Sequence, residues 1–134
     1  MALTVSLSVK ELERVAALAY ETKTLKVMLC SVASTGYTSA STVTNWQSVE
    51  QSGNGYVRAS TVIAAGSYNG TTARYELPVF DAEFTATGAG YTYDRIVTYI
   101  DGATYPHSVI TEDPNVVLSA GQTQTYRITL NTDD

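Results

Sequence analysis

His107 is the only histidine in the chain, and Asp101, Ser108, Glu112 and Asp113 stand close to it in sequence. A histidine with a hydroxyl and a carboxylate can do acyl-transfer chemistry, the imidazole taking the hydroxyl proton while the acid holds the ring. The spacing defeats the nearest set. Ser108 follows His107 directly, and neighbours along a strand point to opposite faces. His107 is therefore expected to be a surface or hydrogen-bonded residue. Asp81 and Glu83, at i and i+2, share one face of a strand and could act as the paired carboxylates of a glycosidase. Such a site also needs an aromatic-lined cleft, and the chain has a single Trp. Solvated strand acids that discourage edge pairing are the expectation. A small hydrolase built on Asp81, Glu83 or His107 ranks last among the readings.

Gly88 and Gly90, in "TGAGYTYD", suggest a phosphate cradle at first sight. A cradle works because backbone amides and a helix N-terminus converge on the anion. Here no third glycine follows, and the next residues alternate as a strand, so a turn or bulge is expected. Metal chemistry is poorly supplied. With one His and one Cys, a transition-metal site needs carboxylates from distant segments, and neither "EDPN" nor Asp133 and Asp134 has the alternating spacing of a calcium loop. No catalytic residue, metal or cofactor is expected. Cys30 lies in the apolar run "TLKVMLC" and reads as a small buried hydrophobe, and a lone cysteine excludes an intrachain disulfide.

The tyrosines stand out more than any catalytic set. There are ten against two Phe, so most aromatic positions carry a polar tip. Strand alternation puts Tyr91, Tyr93 and Tyr99 on one face, while Tyr37, Tyr56, Tyr68 and Tyr105 flank turns. Three roles are open: a rigid core periphery whose hydroxyls reach water, a protein-contact surface, or a platform for sugar rings. Tyrosine is enriched at contact surfaces because it buries much area with few torsions. Tyr37, Tyr68, Tyr91, Tyr93 and Tyr105 are the candidate partner-interface residues.

The elements that must position these residues are mostly strands. "SVKE" at Ser8–Glu11 is a capping box, Leu7 and Leu12 are placed as a hydrophobic staple, and Leu12, Val15, Ala16 and Ala19 recur at helical spacing. This predicts one helix over about 9–20, the only helix signalled. From Lys23 the period falls to two, with Leu25, Val27 and Leu29 opposed to Lys26, Met28 and Cys30. "YVRASTVIAA" is a second strand, Asn69-Gly70 a type I′ hairpin turn, and Pro78 an interruption between two more strands. Asp101-Gly102 joins "YTYDRIVTYI" to "TYPHSVI", "EDPN" is read as a turn, and "QTQTYRITL" as a last half-buried strand. One helix and about eight short strands at even spacing predict a single domain over 1–134, an antiparallel β-sandwich or jelly-roll-like barrel.

Composition bounds the partners. The net charge is −5, only 16% of residues are charged, and 20 Thr and 12 Ser fill the gap. The scattered cations form no stripe, which argues against nucleic acid. No apolar run reaches the ~18–20 residues of a membrane span. The opening "MALTVSLSVKEL" lacks a basic region and a continuous apolar stretch, so it does not read as a signal peptide.

The order of segments resembles a group of small tailed-phage virion proteins, cyanophage-like in tone. The resemblance rests on a short helix, Thr24–Leu29, Gly53–Tyr56, Thr87–Ile100 and Gly121–Leu130, and spans nearly the whole chain. It implies a non-enzymatic virion component located in the particle and assembled in the host cytoplasm. Its partners would be the major capsid protein or other virion proteins. A capsid cement protein on the mature shell is the first expectation, as a symmetric oligomer with a trimer at quasi-threefold positions. A tail, fibre or baseplate component, with a receptor or glycan as ligand, is the second. For a tail-tube subunit, which is expected to carry a long ordered loop or arm, the hydroxyl-rich "SVASTGYTSASTVTN" is the candidate segment.

Overall fold

Both faces of β1 (Thr24–Cys30) are buried, because its two alternating sets of side chains each meet a different layer. The computed structural model describes residues 8–32, 36–72 and 74–130. β1 is central in an antiparallel four-stranded sheet of order β2-β1-β6-β7, with β2 at Ala59–Val62, β6 at Tyr91–Ile100 and β7 at Ser108–Leu118. Two further antiparallel pairs complete the fold: β3 (Ser67–Asn69) with β4 (Arg74–Glu76), and β5 (Phe80–Thr85) with β8 (Thr123–Ile128). The fold is mainly β and sandwich-like.

The main core lies between the four-stranded sheet and the β5–β8 pair. Leu25, Val27 and Leu29 from β1 meet Tyr93 and Ile96 from β6, and Ala82 and Phe84 from β5 close the other side. On the reverse face of the same sheet, Met28, Cys30, Val97 and Tyr99 are covered by Val32, Val43 and Trp46. The described part of the hydroxyl-rich connection thus lies on the sheet through its buried Val43, beside the following Trp46. It is held there by α2 (Val43–Gln47), a helix that the sequence reading missed. Thr42 caps it, accepting from the Asn45 amide while Asn45 reaches back to the Thr42 amide. Asn in place of Glu or Gln at the third position hid this capping box. The Trp46 indole donates to the Thr38 carbonyl at 3.1 Å.

α1 spans Val9–Ala19, one residue shorter than expected. Ser8 accepts from the Glu11 amide as foreseen, but the Glu11 carboxylate engages Arg14. The Leu7–Leu12 staple and the packing of Leu12 and Ala16 lie outside the described residues.

Three turns differ from expectation. Neither Asn69 nor Gly70 has the positive φ of a type I′ turn; Asn69 Oδ1 instead accepts from the Thr71 and Thr72 amides, an Asx-type closure. Asp101-Gly102 does fold the chain back, with the Ala103 amide donating to the Ile100 carbonyl. Pairing resumes only at Ser108 opposite Thr98, so "TYPH" belongs to the loop. "EDPN" is not a turn between strands, since β7 runs through it. Tyr93 pairs with Val116 and Arg95 with Thr111, so Glu112–Asn115, including a cis Asp113-Pro114 bond, stand opposite Asp94 alone.

Candidate functional site

The β6 irregularity decides where the tyrosines go. A bulge shifts the alternation between its two flanks, so Tyr91 and Tyr93 enter the main core while Tyr99 enters the layer under Trp46. The expectation that all three share a face is therefore corrected. Tyr91 and Tyr93, offered as interface residues, are buried, with ring centroids 6.4 Å apart. They are wall material: an aromatic row links Tyr56, Phe84, Tyr91, Tyr93 and Tyr126 through stacked and edge contacts.

Three hydroxyls of this row, those of Tyr56, Tyr93 and Tyr126, are hydrogen-bonded within the chain. Tyr93 and Tyr126 share a hydrogen bond of 2.6 Å, and burial raises the pKa of both. The Tyr56 hydroxyl donates to Glu50 Oε2 at 2.6 Å and accepts from the Leu29 amide at 3.1 Å; burial first, then the Glu50 contact, raises its pKa. Arg58 completes this cluster, pairing with the Glu50 carboxylate and donating to the Tyr99 hydroxyl at 2.7 Å. Glu50 thus ties the end of the α2 segment to β1 and to the residue just before β2.

Of the other candidates, Tyr68 and Tyr105 are exposed, by 44% and 58%, on the β3 strand and the β6–β7 loop respectively. Tyr37 is half-buried, edge-on to Trp46 at 5.8 Å. Among the described residues no ring contact joins these three to one another, so they form no single platform within one chain.

The residues with catalytic side chains are dispersed. His107 Nε2 lies 3.3 Å from the Tyr20 hydroxyl, and partial burial lowers its pKa. Ser108 is hydrogen-bonded to Thr98 instead, on the neighbouring strand. Asp81 pairs in register with Arg127, at 3.1 Å, on the exposed side of β5. Gly88 and Gly90 shape a turn, with positive φ at both. Cys30 is fully buried; desolvation, with Glu50 adding to it, pushes its thiol up to about 12.

The sequence reading missed an apolar cleft of about 170 Å³ between β2 and the β5–β8 pair. Leu25, Ile63, Phe80, Ile128 and Leu130 form its floor and walls, and exposed Val62 and Val79 line its mouth. Its volume is below the ~300 Å³ of ordinary small-molecule pockets. It has the size to take one or two inserted side chains. No sequence signal could have found it, because its lining comes from four separate segments. No protein-family model, no curated protein and no solved structure matches the chain.

Proposed function

We propose that the chain is a non-enzymatic structural subunit of a tailed-phage virion, acting as a capsid cement protein. The observation that carries a binding role is the cleft flanked by Val62 and Val79. These are large apolar side chains left in water beside the main core. A partner side chain seated there would cover apolar surface at little polar cost, since the cleft walls carry no charge. The phage assignment rests on the order of the sequence segments. A cement protein that binds the mature shell but not its precursor stabilises the mature state by mass action.

The second reading is a tail, fibre or baseplate component with a glycan-binding role. It is favoured by the exposed rings of Tyr68 and Tyr105, flat surfaces on which a sugar can stack. Antibody-gold labelling of purified virions tests the pair. Gold over heads supports cement, and gold confined to tails replaces it with the second reading. No label on intact or disrupted particles overturns both.

A further inference from the structure

Asparagine is followed by glycine twice in the chain, at Asn54-Gly55 and at Asn69-Gly70. Such pairs are the most open to intramolecular cyclisation, because glycine has no Cβ to crowd its own amide nitrogen. We propose that Asn69 is a site of spontaneous deamidation in the folded chain, and that the fold protects Asn54. This stands apart from the virion reading, since it needs only the β3–β4 hairpin and water.

The chemistry closes with water as the sole co-reactant. Base removes the Gly70 amide proton, and the nitrogen attacks Asn69 Cγ. A bond forms between them, the Cγ–Nδ2 bond breaks, and the side-chain nitrogen takes a proton and leaves as ammonia. Water then opens the cyclic imide at either carbonyl. One opening gives aspartate; the other gives isoaspartate, with the main chain rerouted through the side-chain carbon. Nothing is oxidised or reduced.

The two sites differ in what holds each side-chain amide. During attack negative charge develops on Oδ1, and donors already aimed at that atom lower the barrier. Asn69 Oδ1 accepts from the Thr71 amide at 2.9 Å and from the Thr72 amide at 3.3 Å. Two main-chain N–H groups thus polarise the carbonyl that Gly70 must attack. Space around Gly70 is open, since a Cβ built there meets nothing within 4 Å. Asn69 is also the last residue of a three-residue strand, so little ladder has to yield when its peptide turns.

At Asn54 the opposite group is engaged. Its Nδ2, the leaving group, donates to the Gly90 carbonyl at 2.8 Å and fixes the side chain. Its main-chain carbonyl, which must swing for the Gly55 nitrogen to reach Cγ, accepts from the Thr87 amide at 2.8 Å. Gly55 is packed as well: a Cβ there would lie 2.8 Å from Thr87 Oγ1. Cyclisation at Asn54 therefore requires two docked turns to separate.

The test compares both sites in one sample. The full chain is held at mildly alkaline pH, folded or in guanidinium chloride, and sampled over weeks. Trypsin, cutting after Arg58 and Arg74, places Asn54 and Asn69 in different peptides. Mass spectrometry scores the conversion of amide to acid in each, and methylation by isoaspartyl methyltransferase identifies isoaspartate. In denaturant the two sites should react at similar rates. In the folded chain Asn69 should react no more slowly than in denaturant. Asn54 should lag Asn69 by about tenfold or more, the factor for one hydrogen bond broken on the way to reaction. Similar rates at both sites in the folded chain, a faster Asn54, or an Asn69 slowed by folding overturns the proposal.

Discussion

The side-chain amide of Asn54 donates to the carbonyl of Gly90 at 2.8 Å, across thirty-six residues of chain. The Thr87 amide donates in return to the Asn54 carbonyl, also at 2.8 Å. Two turns that look independent in sequence, "SGNGY" and "TGAGY", are thereby docked on each other. Asn54 holds φ +51° to do so, a conformation that Asn tolerates better than most residues. Gly90 has φ +73°, and a Cβ there would lie 2.1 Å from the Leu118 carbonyl oxygen.

Gly90→Ala is therefore expected to be the costlier change, losing about 3 kcal/mol or more because backbone must move. Asn54→Ala loses one hydrogen bond and adds left-handed strain, for about 2 kcal/mol. Urea denaturation of the two variants checks the order. Near-equal small losses would show that the turns are not coupled.

Glu50 is the shared acceptor for Tyr56 and Arg58. Tyr56→Phe removes the bond to Glu50 and leaves the Leu29 amide without its acceptor, for an expected loss of about 1–3 kcal/mol. Glu50→Gln leaves Arg58 without its carboxylate partner but still bonded to the Tyr99 hydroxyl, and Arg58 is one-third exposed, so a loss of about 1–2 kcal/mol is expected. The double variant should lose less than the sum, as measured in a double-mutant cycle.

Tyr91 and Tyr93 should respond oppositely to loss of the hydroxyl. Tyr93→Phe breaks the bond to Tyr126 and should cost about 1 kcal/mol. The Tyr91 hydroxyl is buried with no hydrogen-bond partner among the described residues. Tyr91→Phe should thus be neutral or stabilising by up to about 1 kcal/mol. Thermal denaturation of both variants reads the difference, and a loss at Tyr91 equal to that at Tyr93 would count against the burial argument.

Alkaline titration should reveal four tyrosines whose ionisation is coupled to unfolding. Burial raises the pKa of Tyr56, Tyr91, Tyr93 and Tyr126 above the ordinary value of 10.0. A folded pKa above the unfolded one means that stability is fully present below 10.0 and declines as pH rises above it. Absorbance of tyrosinate near its maximum should include a cooperative rise as the fold is lost. A single smooth transition with no cooperative step would contradict this.

Tyr68→Ala and Tyr105→Ala should leave stability within about 0.5 kcal/mol of the parent, since both are surface positions. Under the second functional reading they should abolish glycan-array binding; under the cement reading they should leave retention on heads unchanged.

Alternation and turn chemistry made most strands legible. β1, β5 and β8 follow from period-two spacing, and the break at Pro78 from its missing amide. α2 was legible only in retrospect, because Thr42 and Asn45 form a capping box with an unusual partner and the helix is five residues long. The tyrosines mark the boundary more sharply. Composition alone established that ten aromatic rings would carry hydroxyls. Which buried layer Tyr91, Tyr93 and Tyr99 enter depended on a register shift at Asp94, set by how β7 pairs across the sheet.

The cleft at Val62 and Val79 and the docking of Asn54 on Gly90 likewise join residues far apart in the chain. Local spacing encodes local conformation, because φ/ψ preference and side-chain alternation act over a few residues. It does not encode which distant segments meet. Tertiary packing chose those partners through the shape and burial of the assembled core.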